Sequence, residues 1–69
     1  MTIKNIYGED VDTRDIRNYD IREGIGIYEV YAIANFDPEY EALMAKFETR
    51  NEACRYIYGL ITGMRQEAM

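Results

Sequence analysis

The side chains of this chain that could do chemistry are carboxylates, tyrosines and one thiol. Histidine, serine and tryptophan are all absent from its 69 residues. The usual general base is therefore missing, and so is the commonest hydroxyl nucleophile. Cys54 would need a depressed pKa to react. It lies five residues past Thr49, inside a helix rather than in its first turn, with Arg50 and Arg55 as its cationic neighbours. Its place next to Ala53 on the apolar side predicts a buried structural thiol. The carboxylates Glu9, Asp10, Asp12 and Asp15 follow Gly8, with Asp20 further on. A calcium loop starting at Asp10 would need glycine at its sixth position and glutamate at its twelfth. Asp15 and Ile21 stand there, so these acids read as a solvated acidic surface and no metal site is expected. The glycines of GIG at 24–26 are too few for a phosphate loop, and no lysine with serine or threonine follows them. No catalytic residue and no cofactor is expected, and the protein reads as non-enzymatic.

Tyrosine is over-supplied, at 7, 19, 28, 31, 40, 56 and 58. Its large ring and polar tip suit contact surfaces. Thirteen acids against eight bases give a net charge of −5. That balance disfavours direct binding to nucleic acid, which needs a basic surface to displace counterions. It also disfavours an anionic membrane surface. The opening MTIKNIYGED lacks the apolar core of a signal peptide, and no run approaches the ~18 apolar residues of a span. With a single cysteine, these features predict a soluble, cytoplasmic protein.

The elements that must position these groups centre on Gly24 to Phe36, GIGIYEVYAIANF. The stretch is rich in β-branched and aromatic residues, with Glu29 its one charge. Period-two reading puts Ile25, Ile27, Tyr31 and Ile33 on one face, and Tyr28, Val30, Ala32, Ala34 and Phe36 on the other. Neither face is polar, so both ask for cover. Thr2 to Tyr7 reads as a short edge strand and Gly8 to Asp10 as a turn. Val11 to Glu23 reads as extended, turning at Glu23–Gly24, where Gly24 or Gly26 supplies the positive φ of a tight hairpin. Residues 38–48 carry two patterns. A helix capped by Asp37 would line up Tyr40, Leu43, Met44 and Phe47. A strand entered through a helical turn at 38–41 would point Leu43, Ala45 and Phe47 inward and Met44, Lys46 and Glu48 outward; this is preferred because it gives the central strand a second neighbour. Last comes a helix over about 50–66, opened by a capping box of Thr49 and Glu52. Ala53, Ile57, Leu60, Ile61 and Met64 form its apolar face. Gly59 and Gly63 predict close approach to the sheet or to another helix.

The expected fold is a single α+β domain over 1–69: an antiparallel sheet of about three strands, central strand near 25–36, packed on one C-terminal helix. A chain this short buries only about 60% of its unfolded surface and needs a stabilising device. One cysteine excludes an internal disulfide, so self-association remains. The expected function is a small protein-interaction module, a homodimer, of a size suited to a bacterial or phage accessory protein. Its contacts would be the sheet face of Ile25, Ile27, Tyr31 and Ile33, or the helix side of Tyr56, Gly59 and Gly63. An alternative is an acidic decoy that fills the basic groove of a nucleic-acid-binding protein, using Glu9, Asp10, Asp12, Asp15 and Asp20, with Asp37, Glu39 and Glu41 beside them.

Overall fold

The computed structural model describes residues 2–37 and 39–68, with side chains up to residue 63. The chain runs β1 (Thr2–Lys4), β2 (Asp10–Asp12), a 3₁₀ turn (Thr13–Asp15), β3 (Ile16–Gly24), β4 (Ile27–Ala34), β5 (Glu41–Phe47) and α1 (Arg50–Ala68). β3, β4 and β5 form an antiparallel sheet in that order, with β4 central; β1 and β2 pair as a separate hairpin. The sheet packs on the single C-terminal helix, so the α+β architecture expected from the sequence is the one observed.

Local chemistry explains the turns. Asn5 organises the first hairpin: its side-chain oxygen accepts from the N–H groups of Tyr7 and Glu9, both at 2.9 Å. Gly8, at φ 80°, takes the left-handed conformation there, which side chains disfavour. Asp12 caps the 3₁₀ turn by accepting from the Arg14 N–H at 3.0 Å. The expected extended segment from Val11 is therefore broken by one tight turn before β3 begins. β3 and β4 close through two residues, Ile25 and Gly26, with Gly24 opposite Ile27. Gly26 supplies the positive φ, 69°, and Gly24 does not. After β4, Asp37 builds the next turn, its side chain accepting from Glu39 N–H at 2.9 Å and its carbonyl from Tyr40 N–H at 3.0 Å. The strand pattern over 38–48 is thus realised from Glu41 on. Pro38, part of the expected helical entry, lies outside the described residues.

The core lies between the sheet and α1. Val30, Ala32, Met44 and Ala53 are buried together, with Ile3, Val11, Ile16, Tyr19, Ile21, Tyr28, Ala42, Phe47, Tyr56 and Ile57 packed around them. Val30 is the one large side chain fully enclosed among the described residues. Burying it contributes roughly 1.5–3 kcal/mol. The rest of the buried set is mostly alanine, so this side of the sheet alone gives a thin core.

Two sequence expectations change here. The register between β4 and β5 shifts at one point: Val30 faces Ala45 and Tyr31 faces Leu43, which leaves Met44 as the extra residue of a bulge. Met44 therefore turns into the core, 3% exposed, where strict alternation points it outward. Leu43 moves to the other face beside Tyr31. The second change concerns the helix. Thr49 Oγ1 does accept from Glu52 N–H, at 3.3 Å, as the capping box requires. The close approach to the sheet, however, is made by Ala53, with no exposed surface. A Cβ built at Gly59 would meet nothing within 4 Å.

Candidate functional site

The sheet has one covered face and one open face. α1 packs on the side of the sheet that carries Tyr28, Val30, Ala32 and Ala34. On the opposite side β4 presents Ile27, Glu29, Tyr31 and Ile33, all half-buried by their neighbours in the sheet. Leu43 joins them from β5 because of the bulge. The result is an apolar stripe of Ile27, Tyr31, Ile33 and Leu43 running obliquely across two strands. Among the described residues, α1 and the first hairpin both pack on the opposite face, against Val30, Ala32 and Met44.

Charged groups frame this stripe. Register places Asp20 and Arg22 of β3 on one flank, and Glu41 and Lys46 of β5 on the other, with Glu29 between them. Arg22 ties the flanks together. Its guanidinium lies over the Tyr31 ring, 4.3 Å from the centroid. It donates through Nε to Asp20 at 3.2 Å and through both terminal nitrogens to Glu41, one of them at 2.9 Å. Those bonds to Glu41, and then the one to Asp20, raise the Arg22 pKa further above its usual value. Two bases and three acids frame the stripe, a net of −1 against −5 for the whole chain. The acidic excess lies elsewhere.

Part of that excess sits on the helix side. A groove of about 250 Å³ opens there between the first hairpin and the sheet. Its floor is Val11, Ile16, Ala32, Ala34 and Ala42; Glu9, Asp10, Asp12 and Asp15 stand on one rim. Phe36 and Tyr40, exposed and 5.5 Å apart by ring centroids, stand on the other. The rim acids are largely matched within the chain. Lys4 pairs with Asp10, Arg14 pairs with Asp12 at 2.7 Å, and the Glu9 carboxylate accepts from Asn5 Nδ2 at 3.1 Å. The side-chain bonds from Arg14, and then its backbone N–H, hold the Asp12 carboxyl at about 2. Among the described residues, no group of three or more His, Cys, Asp or Glu could hold a metal ion.

The structure sorts the sequence-derived candidates. Ile27, Tyr31 and Ile33 share the open face, as period two requires. Ile25 leaves it: the hairpin turn breaks the alternation and exposes the side chain fully. Tyr56, half-buried, packs against the chain's own core, its ring 5.4 Å from Phe47, instead of standing on an outer helix face. Burial raises its pKa, as it does that of Tyr19. Gly59 is exposed and Gly63 half-buried. Cys54, expected to be buried, is an exposed free thiol. It follows Ala53 by one residue, and the ~100° step of a helix turns it from sheet to solvent. Glu9, Asp10, Asp15 and Asp20 are exposed and Asp12 is half-buried. Sequence reasoning missed Leu43, whose placement depends on the bulge. It also missed the Arg22–Glu41 bridge, whose members are 19 positions apart.

The fold is a three-stranded antiparallel sheet on one helix, and no helix among the described residues is long and apolar enough to cross a membrane. Comparison of the chain with family models, with curated proteins and with solved structures finds no match.

Proposed function

We propose that this is a non-enzymatic interaction module that self-associates, two copies meeting through their open sheet faces. The observation that carries the reading is the uncovered stripe of Ile27, Tyr31, Ile33 and Leu43 on a domain whose enclosed core is small. Covering the stripe supplies the burial that one helix cannot. A two-fold axis through the stripe would set the patch against itself, the isologous arrangement usual for homodimers. The near-neutral frame favours a second copy over a strongly charged partner. The decoy reading needs free carboxylates spaced like phosphates, and the pairing of Asp10, Asp12, Asp20 and Glu41 with bases weighs against it. An accessory role in a bacterial or phage cytoplasm is in keeping with this reading.

The test is sedimentation or light scattering over a range of protein and salt concentrations. Apolar association persists at high salt, whereas charge-steered binding falls. Ile33→Lys is the informative variant. Position 33 pairs with Glu41 across the strands, so the chain itself accommodates a lysine there, while the stripe is interrupted. The expected result is a salt-resistant self-association from which Ile33→Lys removes the contribution of this face while the chain stays folded. A wild-type chain that stays monomeric at millimolar concentration would sink the proposal.

A further inference from the structure

We infer that the outer edge of β3 is a second self-pairing surface, which joins two copies antiparallel into one continuous six-stranded sheet with Ile21 on the two-fold axis. The partner is again a copy of this chain, as in the reading above, but the surface is different.

The two edges of the sheet are treated differently. On β5, the first hairpin reaches the bulge, where Ile6 N–H donates to Leu43 C=O at 3.0 Å. β3 is nine residues long, and no strand among the described residues pairs with its outer side. Natural sheets blunt such an edge with proline, charged side chains, lysine above all, or a bulge; the charges of β3, Arg17, Asp20, Arg22 and Glu23, alternate in sign and so can pair as well as repel. β3 has no proline or lysine, and its irregularity lies at the far end, between Ile16 and Asn18. From Asn18 to Gly24 it is regular.

Geometry then determines which groups the edge offers. In a two-residue hairpin the closing pair, here Gly24 and Ile27, exchanges backbone hydrogen bonds, and bonded pairs alternate from there. Arg22, Asp20 and Asn18 therefore bond inward to β4. Tyr19, Ile21 and Glu23 turn their N–H and C=O groups outward. An antiparallel copy must pair outward residues with outward residues, which leaves few registers. Tyr19 opposite Ile21 would set Asp20 against Asp20. Ile21 opposite Glu23 would set Arg22 against Arg22. Ile21 opposite itself sets Tyr19 against Glu23 and Asp20 against Arg22, twice by symmetry. In this last register the alternating signs of the edge complement themselves. Arg22 can take the added carboxylate: of its five N–H donors, the bonds to Asp20 and Glu41 use three.

Cross-linking reads this edge alone. In a Cys54→Ala chain, Ile21→Cys should form a disulfide-linked dimer under mild oxidation, since facing Cα atoms in a bonded pair lie about 5.5 Å apart, within disulfide reach. Asn18→Cys should not, because its two copies would sit about 20 Å apart along the strands. Ile21 lies on the helix side of the sheet, so a face-to-face dimer cannot produce this link. A mixing experiment checks the register without a thiol. Asp20→Arg and Arg22→Asp should each weaken edge association about tenfold, by setting like charges opposite each other in two pairs. Mixed one to one, the two variants should form a heterodimer. Equal cross-linking at positions 18 and 21, no cross-link at 21, or failure of the two folded variants to pair when mixed would each overturn the inference. Ile33→Lys leaves all three readouts unchanged, which separates this edge from the open face.

Discussion

Replacing Tyr19 by phenylalanine should stabilise the protein. The Tyr19 hydroxyl is buried and has no hydrogen-bond partner among the described residues. Its ring packs on the helix side of the sheet beside the Val30–Ala32–Met44–Ala53 cluster. On folding the hydroxyl exchanges a bond to water for none, a loss of about 1–3 kcal/mol for a buried unsatisfied group. Phenylalanine keeps the ring and its contacts and removes the oxygen, so a gain of about 1–2 kcal/mol is expected. For a domain of this size each kcal/mol raises Tm by about 4–8 °C. In urea, with a slope near ~1 kcal/mol per molar, the midpoint should rise by about 1–2 M. The assay is circular dichroism at one fixed protein concentration, since self-association shifts apparent stability. Tyr28→Phe is the control: its hydroxyl donates to Glu23 at 3.3 Å at the surface, and the change should stay within about 0.5 kcal/mol. Alkaline pH adds a second readout. Burial, and then the proximity of Tyr56, raise the Tyr19 pKa. Below pH 10 the hydroxyl is protonated in both states and stability is unaffected. Between 10 and the raised folded value the unfolded chain ionises first, so stability falls as pH climbs. Tyr19→Phe should remove part of that fall, and Tyr56, raised by its own burial, should account for the rest. A midpoint unchanged or lowered at neutral pH would refute the reasoning, because it would mean that the hydroxyl is satisfied.

Further outcomes follow from the helix and from the 3₁₀ turn. Gly59→Ala should stabilise by about 1 kcal/mol in thermal unfolding, since glycine weakens a helix and a Cβ there meets nothing within 4 Å. A loss of stability together with dissociation would instead place a second copy against that side of α1. The Asp12 carboxyl should titrate at about 2 by carbon-13 NMR, and Arg14→Met should return it toward the ordinary 3.8. Because the folded value is depressed, the stabilisation from this cap is complete above pH 4 and disappears as pH falls toward 2.

Local patterns made much of the fold legible. The Thr49–Glu52 cap and the helical spacing of Ala53 and Ile57 define α1. The β-branched run after Gly26 defines β4, and the glycine itself marks the hairpin. Each signal depends on a few neighbours in the chain, so it survives without knowledge of the rest. The candidate surface was legible to the same depth: Ile27, Tyr31 and Ile33 follow from alternation along one regular strand. Ile25 did not follow, because a turn cancels the alternation that placed it. Leu43 did not, because a bulge inverts the faces of the residues before it. Cys54 shows a finer limit. Whether a helical residue beside a buried one is itself buried depends on how wide a stripe the sheet covers, and here the stripe is narrow.

The sequence by itself determined the central strand, the capped C-terminal helix, the glycine turns on either side of β3, and an inventory of groups poor in catalytic chemistry. These are properties of short windows: propensity, periodicity and the hydrogen bonds of neighbouring residues. Tertiary structure decided which side of β4 the helix covers, which alanine it approaches, where Met44 slips the register, and that Arg22 bridges Asp20, Tyr31 and Glu41. Each depends on groups far apart in the chain meeting in space, and on excluded volume leaving room for one arrangement. The open face and the bare edge of β3 belong to that second set, since a surface is left open only by how the other elements have packed.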